Sequence, residues 1–450
     1  MDKEKRRLIA IGGAVVAGVV AALLGWLFFF GSASQEAPQA PSVFPEVGER
    51  SIAAFERQEE REGEGGFIAS SAAPERQIAL LQLWDKPVSA LGFWEGSARG
   101  WRARFVERES GDIYETDSSR LVARIYNTAT PASQRGWFSP RGDALALQFL
   151  PDDAGTIATF EGPLRELAEQ DPDTGSLVEF ASAPLPRGVV SFAYDPSGSG
   201  RFAYLERLEE GGVRLVVRAR GEAGREVWRS EVRGWHIVWT NPREILVAAN
   251  TQPNEEGIAI LVDPQTGAQR LAASGNTLDA AMDPAGNKLA FSARSGRTMR
   301  LFLRDLSSGE TIDTGLSTIA QKCVWGGEEG NTLFCAVPRG GVEPDNIIFW
   351  YQGGGYFDDQ LVMIDGARGE WRLLLDPREE YQAPLDVVSL AASPRGDALL
   401  LLDKRTLTPW AVRLDLLLKE TANEPAGEAG QNAPSEQQPQ EEPTPPSREE

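Results

Sequence analysis

The heptapeptide SPRGDAL occurs twice, at Ser139–Leu145 and again at Ser393–Leu399. Each copy contains Arg-Gly-Asp, which in some extracellular proteins is an adhesion signal. Here the two copies are the most alike members of a larger set: GFWEGSARGW (92–101), GWFSPRGDALALQF (136–149), FAYDPSGSGRFAYL (192–205), IVWTNPREILVAA (237–249), AAMDPAGNKLAFSA (280–293), CVWGGEEGNTLFCAV (323–337) and LAASPRGDALLLLD (390–403). Most have a short apolar run, a polar turn with Pro or Gly, and a second apolar run. Gly supplies positive φ and Pro presets the turn, so the pattern is that of a β-hairpin. The flanking runs are too short for helices and rich in strand formers. The slot that holds Arg-Gly-Asp in two units holds PSGSG, PAGNK or GGEEGN in others. The tripeptide therefore reads as turn chemistry and not as an adhesion signal.

A second turn recurs downstream, in QDPDTGSLVEF (170–180), VDPQTGAQRL (262–271), RDLSSGETI (304–312) and IDGARGEWRLL (364–374). Each unit is thus four strands, a to d, and unit starts are spaced by about 42 to 67 residues. Seven units fit. The last supplies only three strands, VVSLAAS, ALLLLDK and PWAVRLDLLL, and the missing one is expected from RQIALLQLWD (76–85). Pairing the first strand into the last unit closes the ring and removes open edges. The expectation is an all-β, seven-bladed β-propeller over 76–420, with six or eight blades as the alternatives.

These turns resemble the WSPDG-type repeats of the TolB-like and WD40-like propellers of bacterial envelopes, most closely the membrane-anchored single-pass kind without assigned activity. The resemblance covers about Arg76–Glu420. It implies a propeller with partners in the cell envelope. Two units lack the Pro, and the Trp-Asp dipeptide of WD40 blades is not periodic here.

Residues outside the repeats set location. Leu8–Phe30 is a 23-residue stretch without charge, about 35 Å long as a helix, enough to cross a bilayer core. MDKEKRR (1–7) ahead of it carries four basic residues against two acidic ones, which favours a cytoplasmic N-terminus and an exported remainder. The reading is an uncleaved single-pass signal-anchor. A cleaved signal peptide ending near Gly31-Ser32-Ala33 is the competing reading, against which the apolar core is long. Residues 31–75 read as a flexible linker and 421–450 as a disordered acidic tail. The propeller is then periplasmic or extracellular. A net charge of −21 argues against a nucleic-acid partner, since phosphate binding needs a basic surface.

Few residues offer chemistry. Cys323 and Cys335 fall opposite each other if Trp325 faces Leu333, close enough for a disulfide; two buried thiols are the competing reading. His236, in RGWHIVW, is the only imidazole and is expected to be packed or on a rim. No G-x-S-x-G elbow accompanies it. No cofactor and no metal site are expected. The most unusual stretch is GGVEPDNIIFWYQGGGYFDDQ (340–360), which lengthens the b–c loop of the sixth unit. Phe349, Trp350, Tyr351, Tyr356, Phe357, Asp358 and Asp359 are the candidate binding residues, because loop-borne Trp and Tyr are frequent hot spots; plugging the channel is the structural alternative. The second insertion, FEGPLRELAEQDPDTG (160–175), lengthens the c–d connection of the second unit and reads as a solvated loop, with a helical turn at Leu164–Glu169 as a further option within it. The functional expectation is a non-enzymatic protein-interaction scaffold binding an envelope protein or peptide. The alternative is an enzyme or carbohydrate-binding module acting on an envelope polymer through Asp345, Asp358 and Asp359, with Trp350 or Tyr356 as sugar platform.

Overall fold

The computed structural model describes residues 78–423 apart from 96–99, 128–131, 152–156, 250–254 and 328–329. The span Leu8–Phe30, the linker 31–75 and the tail from 424 lie outside the described residues. Among the described residues no helix is long and apolar enough to cross a membrane.

Seven antiparallel sheets follow one another along the chain. Their innermost strands, each called strand a, are Val88–Trp94, Ser133–Phe138, Val189–Tyr194, Trp235–Asn241, Asp279–Met282, Cys323–Gly326 and Val387–Ala392. Strands b, c and d follow outward in order. Strand d of the seventh blade is Leu80–Gln82, which pairs antiparallel with Pro409–Arg413 in the register Leu80↔Val412, Leu81↔Ala411, Gln82↔Trp410. The ring closes as its sequence demands. Apolar clusters fill the space between neighbouring blades, such as Ala203, Leu215, Trp235, Ile245 and Val262 between the third and fourth.

The repeated turns explain themselves locally. In the second blade Ser139 Oγ accepts the backbone N–H groups of Asp143 (3.1 Å) and Ala144 (3.0 Å) and donates to Asp143 Oδ1 at 2.6 Å. Ser393 repeats this with Asp397 and Ala398, and Asp283 plays the same part in the fifth blade. Gly142 has φ +71°, and a Cβ there would stand 2.4 Å from the Phe93 carbonyl oxygen of the first blade. The Arg of each turn reaches forward to the next blade. Arg141 lies against Gly198, Arg243 Nη2 donates to the Ala285 oxygen at 2.7 Å, and Arg395 Nη2 to the Gly100 oxygen. Arg-Gly-Asp is therefore a blade-to-blade strut, a close approach and a turn cap. The c–d turns are Asx turns: Asp171, Asp263, Asp305 and Asp365 each accept two backbone N–H groups, two and three residues on.

Two local expectations are corrected. Leu164–Glu166 is strand, not helix: Ala158–Glu166 runs on as a long strand c, pairing Leu164↔Phe180 and Glu166↔Val178. Burying Leu164 and Val178 against Ile113 and Ile125 of the first blade decides this. The run PWAVRLDLLL does not continue as one strand either. It stops at Arg413, and Leu414–Asn423 is a helix whose Leu414 and Leu417 join the core between blades six and seven.

Candidate functional site

The connection from Thr332–Pro338 to Asp359–Asp365 (strands b and c of blade six) contains helix α1, Pro344–Tyr351. Pro at its first turn is preset for helical φ and lacks an N–H that would go unpaired there. Pro344, Ile347 and Trp350, three residues apart, are buried, and Ile347 and Trp350 pack against Met299, Ile319 and Val342. That spacing turns Phe349 and Tyr351 outward; they are 60% and 42% exposed, and Tyr356 beyond the helix is 56% exposed.

Trp350 is the anchor. Its Nε1 lies 2.9 Å from both carboxylate oxygens of Asp386, in the connection into blade seven, and Phe357 stacks on its ring at 6.0 Å. Phe357 also donates its backbone N–H to Asp386 Oδ2 at 3.1 Å. Beneath them lies Lys322, fully buried just before strand a of blade six. Its Nζ donates to Asp359 Oδ2 (2.6 Å), Asp386 Oδ1 (2.8 Å) and the Val387 oxygen (2.8 Å), using all three of its N–H donors. Asp359 is buried as well, and its Oδ1 has no hydrogen-bond partner. Burial pushes its pKa up to about 6, against the opposing pull of Lys322.

From blade seven, Lys404 Nζ donates to the Gly355 oxygen at 2.7 Å and Arg405 Nη2 to the Phe357 oxygen at 2.6 Å. The two cations stand 4.8 and 5.7 Å from the Tyr356 ring centroid, within cation–π range. Burial lowers the Lys404 pKa, partly offset by Asp386. Tyr351 Oη donates to Gln321 Oε1 at 3.0 Å.

The seven candidate residues therefore separate by role. Phe349, Tyr351 and Tyr356 present a surface, while Trp350, Phe357 and Asp359 support it from below. Asp358 faces the other way, as successive residues entering a strand must, and pairs with Arg339 (3.3 Å) and Arg378 (2.7 Å). Asp358 and Asp359 therefore do not converge on one bond or one cation; Asp345 is exposed in the first turn of α1. His236 Nε2 stands 3.4 Å from Asp279 Oδ1 of the next blade, and burial raises the Asp279 pKa.

Cys323 and Cys335 are disulfide-bonded, with Cα atoms 4.1 Å apart in the register Cys323↔Cys335, Trp325↔Leu333. Sequence reasoning missed Lys322, Asp386, Lys404 and Arg405. The available signal was a charge set directly against an apolar strand run, as in QKCVW and LDVVSL.

On the opposite face, a groove of about 850 Å³ between blades four and five includes Arg201, Arg243 and Arg270 in its lining. These side chains are engaged, by Asp195, the Ala285 oxygen and Glu244 respectively.

No protein-family model and no curated protein matches the chain. Among solved structures it is similar to an oligogalacturonate lyase from Vibrio parahaemolyticus, with 8% identity over 76% of this chain and 94% of that one and a TM-score of 0.50. It is also similar to an oligogalacturonate lyase in complex with manganese (10% identity, 76% and 92%, TM-score 0.48). TolB from Acinetobacter baumannii aligns at 12% identity, 72% and 79%, TM-score 0.39. Likeness at such identities shows the fold alone. The chain is a seven-bladed β-propeller.

Proposed function

We propose that this chain is a non-enzymatic protein-interaction scaffold of the cell envelope, held by the Leu8–Phe30 anchor with its N-terminus in the cytoplasm and its propeller outside. The docking surface is formed by Phe349, Tyr351 and Tyr356 on the face that bears the b–c loops. The carrying observation is that three large aromatic side chains stand exposed within eight residues on a support fixed by Trp350, Lys322 and Asp386. A preordered surface loses little side-chain entropy on association, and exposed aromatics become hot spots when a partner covers them. Of the carboxylates considered for chemistry, Asp359 is tied to Lys322 and Asp358 to Arg339 and Arg378.

The test is capture of a protein partner by the full chain in detergent extracts of its own membranes, with and without Phe349→Ala and Tyr356→Ala. Loss of one specific partner with both substitutions supports the reading. A partner retained undiminished refutes this placement of the surface. Tyr356, flanked by Lys404 and Arg405, would also suit an acidic glycan. Binding of cell-wall fragments without a protein partner would favour the carbohydrate-binding alternative.

A further inference from the structure

Three buried ionic groups under α1 are unequally provided for. Asp386 receives Lys322, the Trp350 indole N–H and the Phe357 backbone N–H. Asp359 receives Lys322 and the Val387 N–H on Oδ2 alone, at 2.6 and 2.7 Å, while Oδ1 is buried without a partner. One ammonium thus serves two carboxylates where neither reaches water. A proton added to Oδ1 breaks no hydrogen bond and removes the surplus buried charge.

We infer that Lys322, Asp359 and Asp386 form a proton-operated latch on the aromatic surface: uptake of one proton by Asp359 leaves Asp386 as the sole counter-charge of Lys322 and tightens the seat of Trp350 and Phe357. This regulation rests on the docking reading only for its biological purpose; the latch itself is a property of the folded chain.

The charged groups facing the cluster are few. Lys322 comes from the start of blade six and Asp386 from the connection into blade seven. Asp403, at the end of strand b of blade seven, accepts the Asp386 backbone N–H at 2.9 Å. Lys404, on the following loop, lies 5.1 Å from the Trp350 ring centroid and acts on Asp386. Asp358 points away, into Arg339 and Arg378.

The sign follows from linkage. Burial raises the Asp359 pKa from its ordinary 3.8 to about 6. Closure of the loop is therefore favoured at low pH, and that contribution is lost as pH rises through about 6. If opening returns Asp359 to its ordinary value, lowering pH from 7.5 to 5 strengthens closure roughly tenfold.

Hydrogen exchange of the full chain in detergent reads this without any partner. Protection factors, which are referred to the intrinsic rate at each pH, are compared for amides of 346–357 and of the core strand Glu244–Ala249. The expected result is about a tenfold rise for 346–357 between pH 7.5 and 5, with the core strand changed at most slightly. Asp359→Asn, which mimics the protonated carboxyl, is expected to raise protection of 346–357 at pH 7.5 and to abolish its pH dependence. Unchanged protection of 346–357 in the wild-type chain overturns the latch even if Asp359→Asn fails to fold. A pH dependence that persists in Asp359→Asn overturns it equally. Neither result bears on whether the aromatics bind a partner.

Discussion

Lys322→Met is the substitution whose consequence the structure specifies most fully. The side chain is replaced by one of similar length, so packing beneath Trp350 is nearly kept, while the ammonium between Asp359 and Asp386 is lost. Two fully buried carboxylates then face each other, with only Lys404 nearby to offset Asp386. Removing one partner of a buried ion pair typically costs about 3–5 kcal/mol, because the charge left behind is neither solvated nor paired. With an unfolding entropy of about 2.1 cal/mol/K per residue over a propeller of roughly 340 residues, that is a fall in Tm of roughly 4–7 °C. The carboxylates respond by binding protons, so the deficit is largest at pH 8 and shrinks toward pH 5. Melting of the full chain is followed by circular dichroism at both pH values. Lys322→Met combined with Asp359→Asn and Asp386→Asn, which removes all three charges of the cluster, is expected to recover most of the loss at pH 8. Arg165→Met, which removes the pair between Arg165 (65% exposed) and Glu179 (56% exposed), is expected to cost no more than about 1 kcal/mol. A Lys322→Met chain melting within 1 °C of wild type at both pH values, or a triple variant no better than the single, refutes the reasoning.

Other outcomes follow from the turns and the staple. Gly142→Ala is expected to destabilise more than Gly100→Ala, although both have positive φ, because only the first places a Cβ 2.4 Å from a neighbouring carbonyl oxygen; denaturant midpoints decide. Replacing both Cys323 and Cys335 by Ala releases a loop with a sequence separation of 12 and is expected to cost about 3 kcal/mol by chain entropy, read as a midpoint shift matching that of the reduced wild type. Melting temperature against pH is expected to peak between about pH 4 and 6. Hydrogen bonds from turn N–H groups hold the pKa values of Asp171, Asp263 and Asp365 below their ordinary value, so their contribution is lost as pH falls below about 3.8, whereas that of Asp359 is lost as pH rises through about 6.

What could be read from sequence was what is local. The Ser139 and Asp263 turns close within five residues, so their repetition announces blades, and the paired strands of one hairpin fix Cys323 opposite Cys335. The closing strand was legible because the last unit lacked one. Lys322 and Asp386 lie 64 residues apart and carry no local signature of meeting. The helical look of PLRELAE around Leu164 was overridden by burial against the first blade. The helix after Arg413 is legible in the i, i+3, i+4 spacing of Leu414, Leu417 and Leu418, a helical period inside a run whose apolar composition alone suits a strand. Within the aromatic loop, residue type draws attention to 349–357, but which of Phe349, Trp350 and Tyr351 supports and which are presented is settled only by the helix phase of α1.

The measurement closest to the central claim is capture of membrane partners by the full chain carrying Phe349→Ala and Tyr356→Ala, beside Trp371→Ala, which alters an equally exposed aromatic on an outer strand. The account predicts one partner held by wild type and by Trp371→Ala and lost from the double variant, whose melting temperature is unchanged. A partner held equally by all three chains contradicts it.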